Sequence, residues 1–184
     1  MNRIIKHLSL VLKHKWYVFQ YCFIAGIPVR GIKHDLSKFS PTEFGESVKY
    51  YQGNRSPIDK CKEVNGYSKA WLHHKGKNTH HYEYWQDNFD NGGMALQMPF
   101  EDALELICDY LAAGKAYMKK EFTYKGEYEW WKKKCEKPLA MHPQTKHFIE
   151  LMLHSFAERG NLTNLQKEKA AMVYRRAAMD IKER

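Results

Sequence analysis

The sequence predicts an all-α protein, a helical bundle of about six to eight helices. Three observations carry that prediction. Apolar residues recur at helical spacing through most of the chain, no run of alternating apolar and polar residues is long enough for a strand, and helix start and stop signals punctuate the sequence. With 184 residues, 43% hydrophobic and 28% charged, the chain fits a single domain. We read residues 1–184 as that domain, with 161–184 as a C-terminal helical extension.

A first helix from Asn2 to Phe23 carries Ile4, Leu8, Val11, Val18 and Cys22 at helical spacing, and Gly26 with Pro28 stops it. A short second helix is expected over Ile32 to Lys38. Ser40, Pro41 and Glu43 then combine an N-cap serine, a first-turn proline and a glutamate three residues on, a capping box that opens a third helix ending before Gly53. Gln52 to Gly66 reads as a loop, on its Gly53, Asn54, Pro57 and Gly66. Trp71 to Trp85 is helical at both ends and broken near Gly76 to Asn78. Asn91-Gly92-Gly93 is a turn. Pro99, with Glu101 and Asp102 in the first turn, opens a helix to about Lys120. Pro143 begins another that Gly160 closes, and a capping signal at Thr163 to Gln166 begins a last one running to about Arg184, which packs on its own domain or on a second subunit, so a homodimer is a candidate assembly.

Thirty Lys and Arg against 21 Asp and Glu give a net charge of +9, which favours anionic partners. Cys22, Cys61, Cys108 and Cys135 contain no C-x-x-C pair, so neither a disulfide framework nor a cysteine zinc finger is expected, and a reducing, cytoplasmic setting is. The most apolar stretch, Trp16 to Ile27, is interrupted by Gln20 and is shorter than the roughly 20 residues of a spanning helix, so it reads as a core helix and no membrane is expected. No small-residue cleavage site follows the N-terminal segment, so a secretory signal is not expected either.

Of ten histidines, seven (His7, His14, His34, His73, His74, His80 and His81) fall within the first 81 residues. On a helix the adjacent side chains of His34 and Asp35 diverge by about 100°, so both serve one site only over a helix end or between two metals. Asp109 is the one charged residue in Leu106 to Ala113, and a carboxylate in such surroundings costs several kcal/mol unless a cation, metal or set of donors meets it. Imidazole with carboxylate suits Fe, Mn, Zn or Ni, so one or two divalent transition-metal ions are the expected cofactors. His7 and His14 share a helix face but lie about 10 Å apart along its axis, so only one of them joins a given ion, and spacing does not choose which.

The ordered His7, His34-Asp35, His73-His74 and Asp109 resembles the pattern of the HD-domain metal-dependent phosphohydrolases. More closely, HDLSKFSPTEF at 34–44, YYQGNRSP at 50–57 and AWLHHKGKNTHHYEYW at 70–85 are similar to a small bacterial family of unknown function, over most of residues 4–150. The HD resemblance favours His7 over His14. It implies an HD-like helical bundle in which His7, His34, Asp35 and Asp109 bind a first ion, Asp35 bridges to a second, and His73 or His74 with His80 or His81 completes it. Ser37 stands where the superfamily usually has glycine, and His80-His81 falls where cyclic-dinucleotide-cleaving relatives carry Gly-Tyr-Pro, so that activity is not implied.

The expected function is therefore metal-dependent hydrolysis of a nucleotide or other small phosphate ester by a metal-activated water. Asp35 holds that water or bridges the metals, Lys38 grips the phosphate, and Arg55, Lys75 and Asn78 are candidate substrate contacts. Glu43 reads as a capping residue. HD-like sites with two irons also run oxygen-dependent cleavage, which the sequence leaves open. Another reading is a non-catalytic basic protein that binds nucleic acid or a protein partner: Lys115 to Lys137 holds eight lysines and four glutamates interleaved with Tyr117, Phe122, Tyr124, Tyr128, Trp130 and Trp131. A third makes the metal structural in a scaffold without turnover.

Overall fold

The computed structural model describes residues 2–182, so the last residues of the expected final helix, Glu183 and Arg184, lie outside the described residues. The fold is all-α. Nine α-helices occur among the described residues, α1 (Arg3–Ile24), α2 (Pro28–Lys33), α3 (Pro41–Tyr50), α4 (Pro57–Asn65), α5 (Lys69–Lys77), α6 (Phe100–Met118), α7 (Tyr124–Cys135), α8 (Pro143–Arg159) and α9 (Lys167–Lys182). One two-residue antiparallel pair, β1 (Gln86–Asp87) with β2 (Met94–Ala95), closes around the glycine turn.

The centre is α6. Leu104, Leu106, Ile107, Cys108, Leu111 and Ala112 are all fully buried, so the helix is enclosed on most sides, with α1 and α8 both packed on it and one buried face carrying Asp102, Glu105 and Asp109. Each such Leu or Ile stabilises the fold by about 1.5–3 kcal/mol. Helix α2 lies against α1, with Gly31 at the crossing: a Cβ there would stand 2.8 Å from the Cβ of Cys22 and 3.0 Å from the Cα of Phe19. Helices α7 and α9 pack on α8, while α3 gathers α4 and α5 beside α1. Ala170 and Ala177 of α9 are buried and Tyr174 donates to the Met98 carbonyl at 2.5 Å, so α9 completes its own domain's core.

The stretch expected to be a core helix does enter the core through Val18, Tyr21 and Cys22 on the buried stripe of α1, while Trp16 and Phe23 on its other face are exposed. Several expectations are corrected. The second helix ends at Lys33, and a separate 3-10 turn covers Leu36–Phe39. The supposed loop before Gly66 contains α4, because Pro57 opens a helix and left-handed Gly66 (φ 78°) closes it. Those extra turns take the helix count past eight. The Thr163 signal makes one 3-10 turn, and α9 starts at Lys167. No helix among the described residues is long and apolar enough to cross a membrane.

Candidate metal centre

Three segments meet beside α6. From α1 comes His14, on the buried stripe. From the break after α2 come His34 and Asp35, with Asp35 in the left-handed region (φ 55°) that aspartate tolerates better than most residues. Lys15 pins this break by donating to the carbonyls of Ile32 and His34, both at 2.6 Å. From α5 and the chain after it come His74, His80 and His81, and from α6 comes Asp109.

These donors form two groups that share Asp35. In one, His14, His34, Asp35 and Asp109 bring a ligand atom each within 4.8 Å of one another; in the other, Asp35, His74, His80 and His81 do the same. The two oxygens of Asp35 divide between them. Its Oδ2 lies 3.1 Å from His34 Nε2 and 3.8 Å from His14 Nε2, and its Oδ1 lies 3.2 Å from His74 Nε2 and 3.4 Å from His80 Nε2. Asp109 Oδ1 stands 3.0 Å from His14 Nε2 and 3.5 Å from His34 Nε2. His74 and His81 face each other Nε2 to Nε2 at 2.9 Å.

Behind the imidazoles stand carboxylates. Glu105 Oε1 lies 2.9 Å from His34 Nδ1 and 3.3 Å from His80 Nδ1, and Glu43 Oε2 lies 2.7 Å from His74 Nδ1. A carboxylate there accepts a hydrogen bond from the Nδ1–H, which fixes the ring's orientation and turns Nε2 inward. Glu105 is itself held by Arg30 Nε at 2.8 Å, and Arg30 also pairs with Asp102. Glu43 is free to do this because the Ser40 N–H is already bonded to the Ser37 carbonyl, so the expected capping box is realised only from the serine side.

The donor set fits a divalent transition metal. His14 Nε2, His34 Nε2, His80 Nε2 and Asp35 Oδ1 are buried without a hydrogen bond, while Lys38 meets Asp35 Oδ2, so the inward atoms converge with few partners of their own. Such orphans are costly and rare outside functional sites. Burial opposes charge on His34, yet Asp35, Asp109 and Glu105 together hold it well above the usual histidine range. Burial likewise opposes charge on Asp35 and Asp109, but the imidazoles, with Lys38 beside Asp35, keep both well below the carboxylate range. Burial, then the neighbouring His80 and His74, push His81 well below 6.5, which leaves it a neutral donor. Two ionised carboxylates among imidazoles are the donors that Fe, Mn, Zn or Ni take, and a bound metal would displace the proton that His34 otherwise holds.

A family model described as a family of unknown function, DUF5662, matches residues 3–155. The chain belongs to that family. Every residue of both donor groups lies inside the matched span, and α9 lies outside it. No curated protein and no solved structure matches the chain.

Of the sequence-predicted ligands, the structure brings His34, Asp35, His74, His80, His81 and Asp109 together. It leaves out His7 and His73. His7 lies two turns before His14 on α1, and its ring packs 5.3 Å from Phe44 and 5.4 Å from Tyr51. His73 reaches Glu43 Oε1 at 2.6 Å and is half exposed on the outer side of α5. Lys38 Nζ stands 2.6 Å from Asp35 Oδ2. Arg55 is occupied by Glu63 and Gln52, Lys75 belongs to neither donor group, and Asn78 caps α5, donating to Ser37 Oγ at 2.8 Å and to the His74 carbonyl at 2.7 Å. His14, Glu105 and Glu43 are the residues the sequence reading did not assign. The signal for Glu105 was present: Asp102, Glu105 and Asp109 fall at intervals of three and four on an apolar helix.

Proposed function

We propose that the chain is a metal-dependent phosphohydrolase that acts on a nucleotide or other small phosphate ester. The observation that carries the reading is the division of Asp35, one carboxylate oxygen facing each of two His/Asp donor groups. A paired site of this kind suits in-line phosphoryl displacement, where one ion faces the attacking and one the leaving oxygen. The order of the ligands along the chain resembles that of the HD-domain phosphohydrolases, with His14 in the place given to His7.

In this reading His14, His34, Asp35 and Asp109 hold one ion, and Asp35, His74, His80 and His81 hold the other. Bound there, the metal supplies Lewis acidity toward phosphoryl oxygens and lowers the pKa of a water toward neutrality. The chain supplies the rest. Glu105 and Glu43 hold the imidazoles as Nε2 donors. Lys38, which Asp35 and Asp109 keep charged against burial, offers an ammonium to a phosphoryl oxygen. Asp109 and His81 line a cavity that opens from the centre and can admit the ester's organic group.

The nucleic-acid reading finds less support. Trp131 is fully buried and donates to Glu150, Tyr128 donates to the same carboxylate, and Phe122 and Tyr124 pack on the core. Of the aromatic residues in Lys115–Lys137, only Trp130 is exposed.

The test is elemental analysis of tag-free protein beside Asp35→Ala, followed by a phosphate-ester panel with the bound metal restored. Two equivalents of metal in the wild type, absent from the variant, with hydrolysis that the variant lacks, is the expected result. A folded wild type that takes up none of the four metals would overturn the reading, as would metal-loaded protein that leaves every ester intact.

A further inference from the structure

Beside the centre lies a cavity of about 580 Å³ between α6, α7 and the chain near Trp71. His81 and Asp109 stand at its inner end. Its walls are aromatic, from Trp71, Tyr110, Tyr117 and Trp130, a composition that suits a flat apolar group.

Two acidic side chains in this wall leave carboxyl oxygens without a hydrogen bond, Glu83 at its buried Oε2 and Glu127. Glu127 on α7 lines the cavity and is only 7% exposed, yet its carboxyl makes no hydrogen bond or ion pair. Its carboxyl lies against Gly114 of α6, where a Cβ would stand 2.0 Å from Glu127 Oε2, so a larger residue there would displace it. A buried carboxyl without a partner costs several kcal/mol as an anion and less as a neutral acid. Burial, with the charge of Asp109 adding to it, pushes its pKa up to about 8. Glu127 is thus a hydrogen-bond donor without an acceptor. Gly114 lies five residues after Asp109, about 7.5 Å along the helix axis.

We propose that the cavity binds a flat, uncharged heteroaromatic group of the ligand and that Glu127 selects it, donating a hydrogen bond to a carbonyl oxygen or unprotonated ring nitrogen on that group. The charge of the lining narrows the class further. Besides the neutral acid Glu127, four carboxylates, those of Asp59, Glu83, Asp109 and Glu121, face the cavity against the cations Arg55 and Lys134, and Arg55 is already paired with Glu63. A second phosphate in the cavity would meet that negative lining, so the ligand is a monoester rather than a polyphosphate. The position of the ester phosphate rests on the phosphohydrolase reading; the heteroaromatic pocket does not.

The test is therefore made first without metal or phosphate. Adenosine, guanosine, cytidine, uridine and ribose are titrated calorimetrically into metal-free wild type, Glu127→Ala and Glu127→Gln, with thermal unfolding to confirm that each variant folds. At least one nucleoside binds the wild type and ribose does not; Glu127→Ala weakens that binding about tenfold, whereas Glu127→Gln, which keeps an N–H donor, stays within about threefold. Absence of nucleoside binding to the wild type, full binding by Glu127→Ala, or equal losses in both variants would overturn the proposal. Nucleoside monophosphates and ribose 5-phosphate are then offered to metal-loaded protein. Nucleoside binding without hydrolysis of any ester would keep this pocket and remove the phosphohydrolase reading. Equal hydrolysis of ribose 5-phosphate and every nucleoside monophosphate would do the reverse.

Discussion

Glu105 stands behind His34, its Oε1 2.9 Å from the Nδ1 of His34, on the side of the ring away from Asp35. That placement makes the imidazole an inward-facing Nε2 donor, and the same carboxylate serves His80. In the proposed metal centre Glu105 would orient the imidazoles from outside both inward groups, although with His34 and His80 it forms a third set of converging donors.

Glu105→Gln is expected to keep both ions at saturation but to weaken metal affinity by about 10–100-fold, since the amide holds the ring less firmly. Competition with a chelator of known affinity measures this. Unchanged affinity would show that Glu105 does not orient the histidines.

Removing donors one at a time separates the two ions. His14→Ala should lose one equivalent, Asp35→Ala both, and His7→Ala neither, because His7 lies outside both groups and packs on Phe44 and Tyr51. Metal content by elemental analysis reads all three. Loss of metal in His7→Ala would return His7 to the centre in place of His14.

His7 has its own pH signature. Burial, with Lys38 adding to it, lowers its pKa from 6.5 to about 4. The unfolded chain therefore binds a proton at this site between pH 6.5 and 4 that the folded chain does not, so His7 costs stability as pH falls through that window. Urea unfolding of metal-free wild type and His7→Phe at pH 7 and pH 4.5 checks this. The wild type should lose more stability than the variant, and parallel losses would contradict the assigned shift.

Glu127 carries the opposite sign. Its folded pKa of about 8 lies above the ordinary glutamate value of 4.5, so the unfolded chain gives up the proton first and stability drains away as pH rises from 4.5 toward 8. Glu127→Met should stabilise metal-free protein at pH 8 by about 1–3 kcal/mol, the cost of an unsatisfied buried polar group, with the gain shrinking toward pH 4.5. Unfolding curves at the two pH values measure it. A loss of stability at pH 8 would mean that Glu127 has a partner.

The helical character of the chain, most helix starts and the candidate ligand types were legible in the sequence, because each depends on neighbours within a few residues. Pro41, Pro99 and Pro143 open helices where expected, and Gly160 closes one. Helices α4 and α7 were not legible. Gly53, Asn54, Pro57 and Gly66 read as loop residues although the last two bracket a helix, and α7 is too polar to show a clear stripe.

By itself, the sequence determined an all-α fold and an inventory of histidines and carboxylates able to hold a transition metal. Its spacing did not decide between His7 and His14, where the HD resemblance favoured His7 and the structure brings in His14 instead, nor did it decide within His73-His74. Both members of each pair have plausible local settings, and helical periodicity places His7 and His14 on the same buried face. Only the tertiary structure made those choices. The break after α2 brings Asp35 opposite His14, and Glu43 on α3 turns His74 inward, contacts between residues distant in sequence that no local periodicity encodes.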